Sequence, residues 1–195
     1  MDRDKILSNN PELQLLYNKF IELYDELGKA FMKEHTRLLP LGDILVDRWH
    51  KAALLGWGEG TNVYDSALVL GDVSVGKHCW IGPHTIIDGS GGLSIGDYCT
   101  ISAGAHIYSH DNVKSTLTSH IIPIERKPVS IGNNVYIAPN AVITKGITIG
   151  NHVVIGAFAY VNKDVPDNSI VMGQPGKIVG NIVFNEKQEP TFVYQ

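Results

Sequence analysis

The run Tyr108-Ser109-His110-Asp111-Asn112 combines residue types that can transfer a proton. The imidazole of histidine changes charge near neutral pH, so histidine is the commonest general base in enzymes. An acidic residue directly after it is a candidate to orient the ring. We therefore take His110 and Asp111 as candidate catalytic residues, with an ordinary surface histidine as the alternative.

The chain around this run repeats every six residues. A period of six fits neither a helix nor a single strand, but it fits a short strand followed by a corner. Three such sides close a coil of about eighteen residues, and stacked coils form a parallel β-helix with one aliphatic side chain pointing inward per hexad. A β-sandwich would space its strands at about 8–12 residues. The fourteen inward positions are Val63, Val69, Val75, Ile81, Ile87, Ile95, Ile101, Ile107, Ile131, Ile137, Ile143, Ile149, Ile155 and Val161.

Small residues accompany the aliphatic ladder. A narrow interior leaves room only for small neighbours, which are Ala67, Cys79, Thr85, Cys99, Ala105, Ala141 and Ala159. The two cysteines fall on the same face one coil apart, and we expect buried thiols there. Glycine follows the inward residue near the corners, where its backbone freedom is expected to ease the turn. These glycines are Gly76, Gly82, Gly96, Gly132, Gly150 and Gly156.

The period is interrupted twice. Residues 88–92 (Asp-Gly-Ser-Gly-Gly) hold two extra residues, for which the glycines predict a tight turn. Between Ile107 and Ile131 the period lapses, and we predict a loop over residues 109–128 that protrudes from one coil. Long loops in compact domains are usually functional. Trp80, His84 and Asp88 occupy positions of the first coils that are predicted to point outward.

The flanking regions lack the repeat. Residues 1–60 are predicted to form a helical cap, with one helix over residues 11–36 and a second over about 43–55. Asn10 is a suitable cap and Pro11 suits the first helical position. These helices could cover the open end of the coils, or shape an acceptor pocket through Trp49 and Trp57. The β-helix is predicted over residues 61–182, and a loosely attached charged tail over residues 183–195.

Composition limits the classes of partner. The chain has 195 residues and a formal net charge of -4, which gives no electrostatic reason for binding nucleic acid or an anionic membrane. No apolar run is long enough for a membrane span and no signal-peptide core follows the N-terminus, so we expect a cytoplasmic protein without stable membrane insertion. Two isolated cysteines do not predict a metal site.

The hexads, the loop that follows a Ser-His-Asp run and the closing segments 161–166 and 173–179 together resemble the hexapeptide-repeat acyltransferases. The resemblance covers residues 63–182 and is closest to the galactoside, maltose and serine acetyltransferases and the O-antigen and capsule sugar acetyltransferases. It implies a mainly β fold, a left-handed parallel β-helix. It also implies a homotrimer with active sites in the clefts between neighbouring prisms.

The resemblance assigns roles to individual residues. His110 matches the catalytic histidine, which accepts the proton of the acceptor as that group attacks acetyl-CoA, and Asp111 is a candidate to orient it. The implied coenzyme A contacts are Pro139, Ala157, Asn162, Lys163 and Lys177. The sequence departs from the family pattern in having Gly176 where alanine or cysteine is common and Asn162 where threonine is common.

The acceptor is less well specified. The form of the histidine run is most similar to enzymes that modify surface polysaccharides, which implies a hydroxyl group of a sugar or nucleotide-sugar. An amino-sugar, giving N-acetylation, is the nearest alternative. The candidate acceptor-binding residues are Trp80, His84, Asp88, His106 and His120.

Two hypotheses from other classes remain open. A γ-class carbonic anhydrase shares the β-helix and holds zinc between subunits, and four histidines here could supply imidazole ligands. That hypothesis gives no role to the closing Gly-x-Pro-x-Lys motif, so we expect no metal. The other hypothesis is an inactive scaffold built from hexapeptide coils, against which the presence of His110 and the coenzyme A motif argues.

Overall fold

The computed structural model describes residues 3–195, so the first two residues of the predicted cap lie outside the described residues. Within this range there are five helices and seventeen strands. The helices are α1 (Arg3–Ser8), α2 (Pro11–His35), α3 (Leu41–Leu45), α4 (Arg48–Leu54) and α5 (Val113–Leu117). The strands are β1 (Asn62–Val63), β2 (Leu68–Val75), β3 (Trp80–Ile81), β4 (Ile86–Ile95), β5 (Thr100–Ile101), β6 (His106–Tyr108), β7 (His110–Asp111), β8 (Glu125–Arg126), β9 (Val129–Ile131), β10 (Tyr136–Ile137), β11 (Val142–Ile143), β12 (Thr148–Ile149), β13 (Val154–Ile155), β14 (Tyr160–Val161), β15 (Ser169–Met172), β16 (Lys177–Phe184) and β17 (Pro190–Tyr194).

The chain divides after Asp47 into two compact units. In the first, α2 begins where the sequence predicts, because the Asn10 side chain accepts a hydrogen bond from the Leu13 amide at 3.2 Å and Pro11 follows. The second helix predicted over residues 43–55 is wrong as a single element. Two short helices, α3 and α4, replace it, since Val46 adopts an extended conformation that ends α3. None of the helices in residues 3–195 has the length and apolarity that crossing a bilayer requires.

The second unit, from Arg48 onward, is a parallel β-solenoid, which confirms the parallel β-helix predicted from the hexads. On one side the strands follow the order β1-β3-β5-β10-β13-β15, each paired in parallel with the next. Strand β4 spans two further sides, since residues 86–88 pair with β6 and residues 93–95 pair with β9. Corresponding hexad residues face each other across the coils, as Ile101 does with Ile81 and Ile137.

The interior contains the predicted ladder. Of the fourteen hexad residues, Val69 is half-buried and all the others are buried. The small residues predicted beside them are buried too. Cys79 and Cys99 are free thiols, and the Cys99 amide donates a hydrogen bond to the Cys79 sulfur at 3.3 Å. Sequence periodicity therefore located the core of this unit.

The corner glycines serve a purpose other than the one expected from backbone freedom. None of the six has a positive φ. The left-handed corner positions carry side chains instead, for example Tyr98 at φ 56° and Asn134 at φ 57°. A methyl group on Gly132 would lie 2.8 Å from the backbone carbonyl of Gly150 in the next coil. Gly132 is therefore required because the coils stack there too closely to admit a Cβ atom.

Replacing Gly132 by alanine is therefore expected to destabilise the protein by roughly 1–3 kcal/mol, since the new Cβ atom meets rigid backbone. Gly156→Ala is the matched control, because there the nearest atom is the flexible Met172 side chain at 3.0 Å. We expect it to cost less than about 1 kcal/mol. Urea unfolding of both variants measures the difference, and equal losses would contradict the stacking explanation.

The predicted loop lies outside the coil ladder. The coil resumes at β9, where Val129 pairs with Leu93, and Tyr136 then pairs with Thr100. Within the loop, β7 and β8 form a short antiparallel ribbon and α5 lies between them. The structure thus has a loop that protrudes from the coil between β6 and β9, and the bounds 109–128 stay a prediction.

Two other segments differ from the sequence expectations. No tight turn interrupts residues 88–92, because β4 continues through them. The segment 183–195, predicted as a loose tail, contributes to an antiparallel hairpin in which β16 pairs with β17. The charged residues of this segment, Glu186, Lys187 and Glu189, are exposed in the turn between the two strands.

Candidate active site

His110 lies at the root of the loop and contacts a buried carboxylate. Its Nδ1 atom is 2.6 Å from Oδ2 of Asp88, which is 0% exposed, whereas the His110 side chain is 33% exposed. The two residues are 22 positions apart in sequence. Coil stacking brings them together, because Asp88 on β4 pairs with Tyr108 on β6 and the chain then turns through Ser109 to His110.

Asp88 is held by several donors. Its Oδ2 atom also accepts a hydrogen bond from the Ser109 amide at 3.0 Å, and its Oδ1 atom accepts from the Ser90 amide at 2.9 Å and the Ser90 hydroxyl at 2.5 Å. Burial by itself raises the pKa of this carboxyl group. The hydrogen bonds from Ser90, His110 and the Ser109 amide outweigh burial and hold the pKa of Asp88 below its ordinary value. Asp88 is therefore ionised at neutral pH.

This contact determines the tautomer of His110. An ionised carboxylate only accepts hydrogen bonds, so Nδ1 must be the protonated nitrogen. In the neutral ring the lone pair is then on Nε2, the nitrogen that does not contact Asp88. The arrangement suits a general base, since the buried charge also stabilises the imidazolium that forms when Nε2 takes up a proton.

The partly exposed His110 side chain faces a cleft of about 350 Å³. Its lining mixes phenol, hydroxyl, amide, charged and aliphatic groups. The lining residues are Tyr108, His110, Asp111, Asn112, Val113, Val142, Thr144, Lys145 and Tyr160. The cleft therefore combines the candidate base with polar groups of both signs.

Asp111 does not contact His110. Its carboxylate accepts hydrogen bonds from the Lys145 ammonium and, at 3.1 Å, from the Val113 amide. The hydrogen bond from Lys145 holds the pKa of Asp111 below its ordinary value. The expectation that Asp111 orients the imidazole is wrong, because neighbours along a strand point to opposite faces. The carboxylate that contacts the imidazole is that of Asp88. The sequence predicted this side chain to point outward, but it is buried.

The other candidate acceptor residues are dispersed. The His106 ring packs edge-on against Tyr108 at 5.8 Å between centroids, and its Nδ1 atom is 3.3 Å from the Tyr108 hydroxyl. His120 is exposed on the loop and its ring contacts Ser115. His84 is exposed at a corner, and Trp80 packs edge-on against Tyr64. His106 contacts Tyr108, which lines the cleft.

Of the five residues implied to contact coenzyme A, two line the same cleft. Lys163 and Lys177 line a second cleft of about 270 Å³, together with Asp164, Gly176 and Ile178. Pro139, Ala157 and Asn162 are exposed on the coils. Two exposed ammonium groups at one cleft suit the phosphates of a nucleotide, which lysine binds as a point charge.

Tyr108 and Lys145 line the cleft but were not predicted as site residues from the sequence. Tyr108 carried a signal, since it directly follows the hexad residue Ile107 and begins the histidine run. Burial raises the pKa of the Tyr108 hydroxyl, and the nearby charge of Asp88 adds to this. Lys145 lies at an ordinary corner of the coil, and only the folded loop brings carboxylates to it.

The arrangement of acidic, cysteine and histidine side chains bears on the zinc hypothesis. In the part of the chain that the structure describes, no three such side chains converge as metal ligands would. The imidazoles of His106, His110 and His120 each contact a different partner, namely Tyr108, Asp88 and Ser115. This geometry does not support a three-histidine site within one chain.

Two sequence profiles match the coils. The profile described as bacterial transferase hexapeptide (six repeats) matches residues 128–163, and that described as hexapeptide repeat of succinyl-transferase matches residues 72–109. Nodulation protein L of Rhizobium meliloti (strain 1021) is 33% identical over 159 residues, which cover 77% of this chain and 84% of that protein.

The galactoside O-acetyltransferase of Escherichia coli (strain K12) is 30% identical over 134 residues, which cover 58% of this chain and 66% of that enzyme. The chain thus spans less than two thirds of this relative, and two further curated relatives are matched over 53% and 32% of their length. Among solved structures, a mutant of AntD, an N-acyltransferase from Bacillus cereus in complex with dTDP and coenzyme A, has a TM-score of 0.59 at 23% identity. That similarity covers 64% of this chain and 72% of AntD, and it concerns the fold.

Proposed function

The chain belongs to the hexapeptide-repeat acetyltransferase family, and we propose that it transfers an acetyl group from acetyl-CoA to a hydroxyl group of a sugar or nucleotide-sugar. The observation that carries the proposal is the His110–Asp88 pair at the edge of a polar cleft. A histidine held by a buried, ionised carboxylate is suited to deprotonate a weakly acidic hydroxyl group.

In the proposed reaction, Nε2 of His110 accepts the proton of the acceptor hydroxyl group. The acceptor oxygen attacks the thioester carbonyl carbon, and the bond to sulfur then breaks. His110 returns its proton to the departing thiolate, so the products are the acetyl ester and free coenzyme A. Asp88 keeps Nδ1 protonated throughout and stabilises the transient imidazolium.

The charges in the cleft support a neutral acceptor group beside His110. Lys145 is the ammonium group of the cleft lining, and it already contacts the carboxylates of Asp111 and Glu125. A carboxylate-bearing acceptor would have to compete with both of them. A polyhydroxylated ligand can instead bind through the Tyr108 and Thr144 hydroxyl groups and the Asn112 amide. The name of the galactoside O-acetyltransferase indicates transfer to sugar oxygen in one relative.

Lys163 and Lys177 are proposed to bind the phosphates of coenzyme A. AntD was solved with coenzyme A, which supports a coenzyme A site on this fold. The resemblance also implies a homotrimer, in which Pro139, Ala157 and Asn162 would contribute to clefts between subunits. Sedimentation analysis of the purified protein tests the trimer.

Thiol release from acetyl-CoA tests the proposed function. Purified protein is incubated with acetyl-CoA and a panel of sugars, nucleotide-sugars and amino-sugars, and free coenzyme A is measured. Release that depends on a hydroxyl acceptor supports O-acetylation, and release only with amino-sugars replaces it with N-acetylation. No release with any acceptor and no binding of coenzyme A would overturn the proposal.

Lys163→Ala is expected to raise the Michaelis constant for acetyl-CoA about two- to fivefold, because one exposed ion pair to phosphate is lost. The turnover number should change little, since the ammonium contacts the cofactor far from the reacting carbonyl. Lys187→Ala is the matched control, because this exposed lysine lies in the turn between β16 and β17. An unchanged Michaelis constant in Lys163→Ala would remove that residue from the coenzyme A site.

A further inference from the structure

Four charged side chains form a continuous network at the base of the loop. The Lys145 ammonium contacts the Asp111 carboxylate and lies 3.1 Å from Oε2 of Glu125. The other oxygen of Glu125 is 2.6 Å from the Lys114 ammonium. Two positive and two negative charges therefore balance within the network. The mechanism derived above uses none of these four groups.

The network joins the loop to the coil. Asp111 on β7 and Glu125 on β8 are register partners in the antiparallel ribbon that closes the loop. Lys145 belongs to the coil and directly follows Thr144, two residues after the strand residue Ile143. A single ammonium group therefore binds both strands of the ribbon from the coil side. Its side chain is 17% exposed, whereas that of Lys114 is 60% exposed.

We propose that Lys145 is a positioning residue, which holds the β7–β8 ribbon against the coil and so keeps His110 on Asp88. This inference rests on the proposed function of His110 as general base. His110 and Asp111 are the two residues of β7, so a movement of the ribbon moves the imidazole as well. Catalysis by proton transfer is sensitive to such movement, since a displacement of about 1 Å can cost 10²-fold in rate.

The charges explain why Lys114 does not replace Lys145. Removal of Lys145 leaves two carboxylates opposite each other on adjacent strands, an arrangement that destabilises a strand pair. Lys114 forms its ion pair with Glu125, and among the described residues no hydrogen bond or ion pair joins its ammonium to Asp111. It also lies on the loop itself, in α5, so it cannot link the loop to the coil.

The test compares Lys145→Met with Lys114→Met in the full chain. Lys145→Met is expected to lower the turnover number roughly 10- to 100-fold with little change in the Michaelis constant for acetyl-CoA. The same variant should accelerate amide hydrogen exchange in residues 110–127. Lys114→Met should leave both quantities within about twofold of wild type. Lys145→Arg, which keeps the charge, should recover most of the lost turnover.

Hydrogen exchange separates this inference from the proposed function, because it needs no substrate. Wild-type exchange in residues 110–127 of Lys145→Met would overturn the positioning role, whatever the activity. Faster exchange together with unchanged turnover would also overturn it, since the ribbon would then move without affecting the base. An inactive wild-type protein would refute the proposed function, while the exchange data would still report whether Lys145 holds the ribbon.

Discussion

His110→Ala is expected to lower the turnover number by roughly 10²–10⁴, because proton transfer by a positioned base contributes a factor of this size. Binding of acetyl-CoA should remain close to wild type, since Lys163 and Lys177 line a different cleft. His110→Gln should be equally impaired, because an amide cannot act as a base at neutral pH. Steady-state kinetics and calorimetric titration with coenzyme A measure the two quantities.

A second histidine supplies the control for this experiment. His35→Ala is suitable, because His35 lies in α2 and contacts Glu34 and Phe31 in the other unit. It should change turnover by less than about twofold. A loss of turnover under tenfold in His110→Ala would remove His110 as the base. A large loss of coenzyme A binding would assign it a different role.

Asp88→Asn is expected to lower the turnover number by roughly 10²–10⁴, because an amide beside Nδ1 no longer requires that nitrogen to be protonated. The equivalent aspartate-to-asparagine change in a serine protease triad costs about 10⁴ in turnover, although the geometry of that triad stays intact. Here Asp88 also accepts hydrogen bonds from Ser90 and the Ser109 amide. We therefore expect an additional loss of stability of about 1–3 kcal/mol.

The stability loss needs its own control. Ser90→Ala removes a donor to Oδ1 of Asp88 and leaves the contact of Oδ2 with His110 intact. It should weaken the fold slightly and reduce turnover by less than about tenfold. Unfolding by urea gives the folded fraction of each variant. If turnover per folded molecule in Asp88→Asn matches wild type, the orienting role of Asp88 is refuted.

The core could be predicted from the sequence because its information is local. Each hexad carries its own inward residue, so Ile101 and Ile137 were both predicted to point inward without knowledge of the loop between them, and the structure pairs them. Apolar burial depends on side-chain type and spacing, and both are written directly in the chain. The same periodicity located the protruding loop, since a segment that lacks the repeat cannot stack.

The corner glycines show a limit of prediction from the sequence. Their positions were predicted correctly, but the reason lies between coils and not within one residue's backbone. Gly132 is needed because Gly150 passes beneath it, and the left-handed corner conformation belongs to residues such as Asn134. The spacing of residues along the sequence does not reveal how closely the backbones of two stacked coils approach each other.

The candidate site was half predictable. Residue type and position pointed to His110 as the candidate base, but the sequence favoured Asp111, the nearest acid, as its partner. The pairing of Asp88 with Tyr108, which brings Asp88 to the imidazole, came from the structure. Tertiary structure decided that Asp88 contacts the imidazole and that Asp111 contacts Lys145. The physical reason is that polar contacts depend on where an inserted loop folds back onto the coil. That position is set by long-range contacts, whereas the repeat that builds the coil is encoded within every six residues.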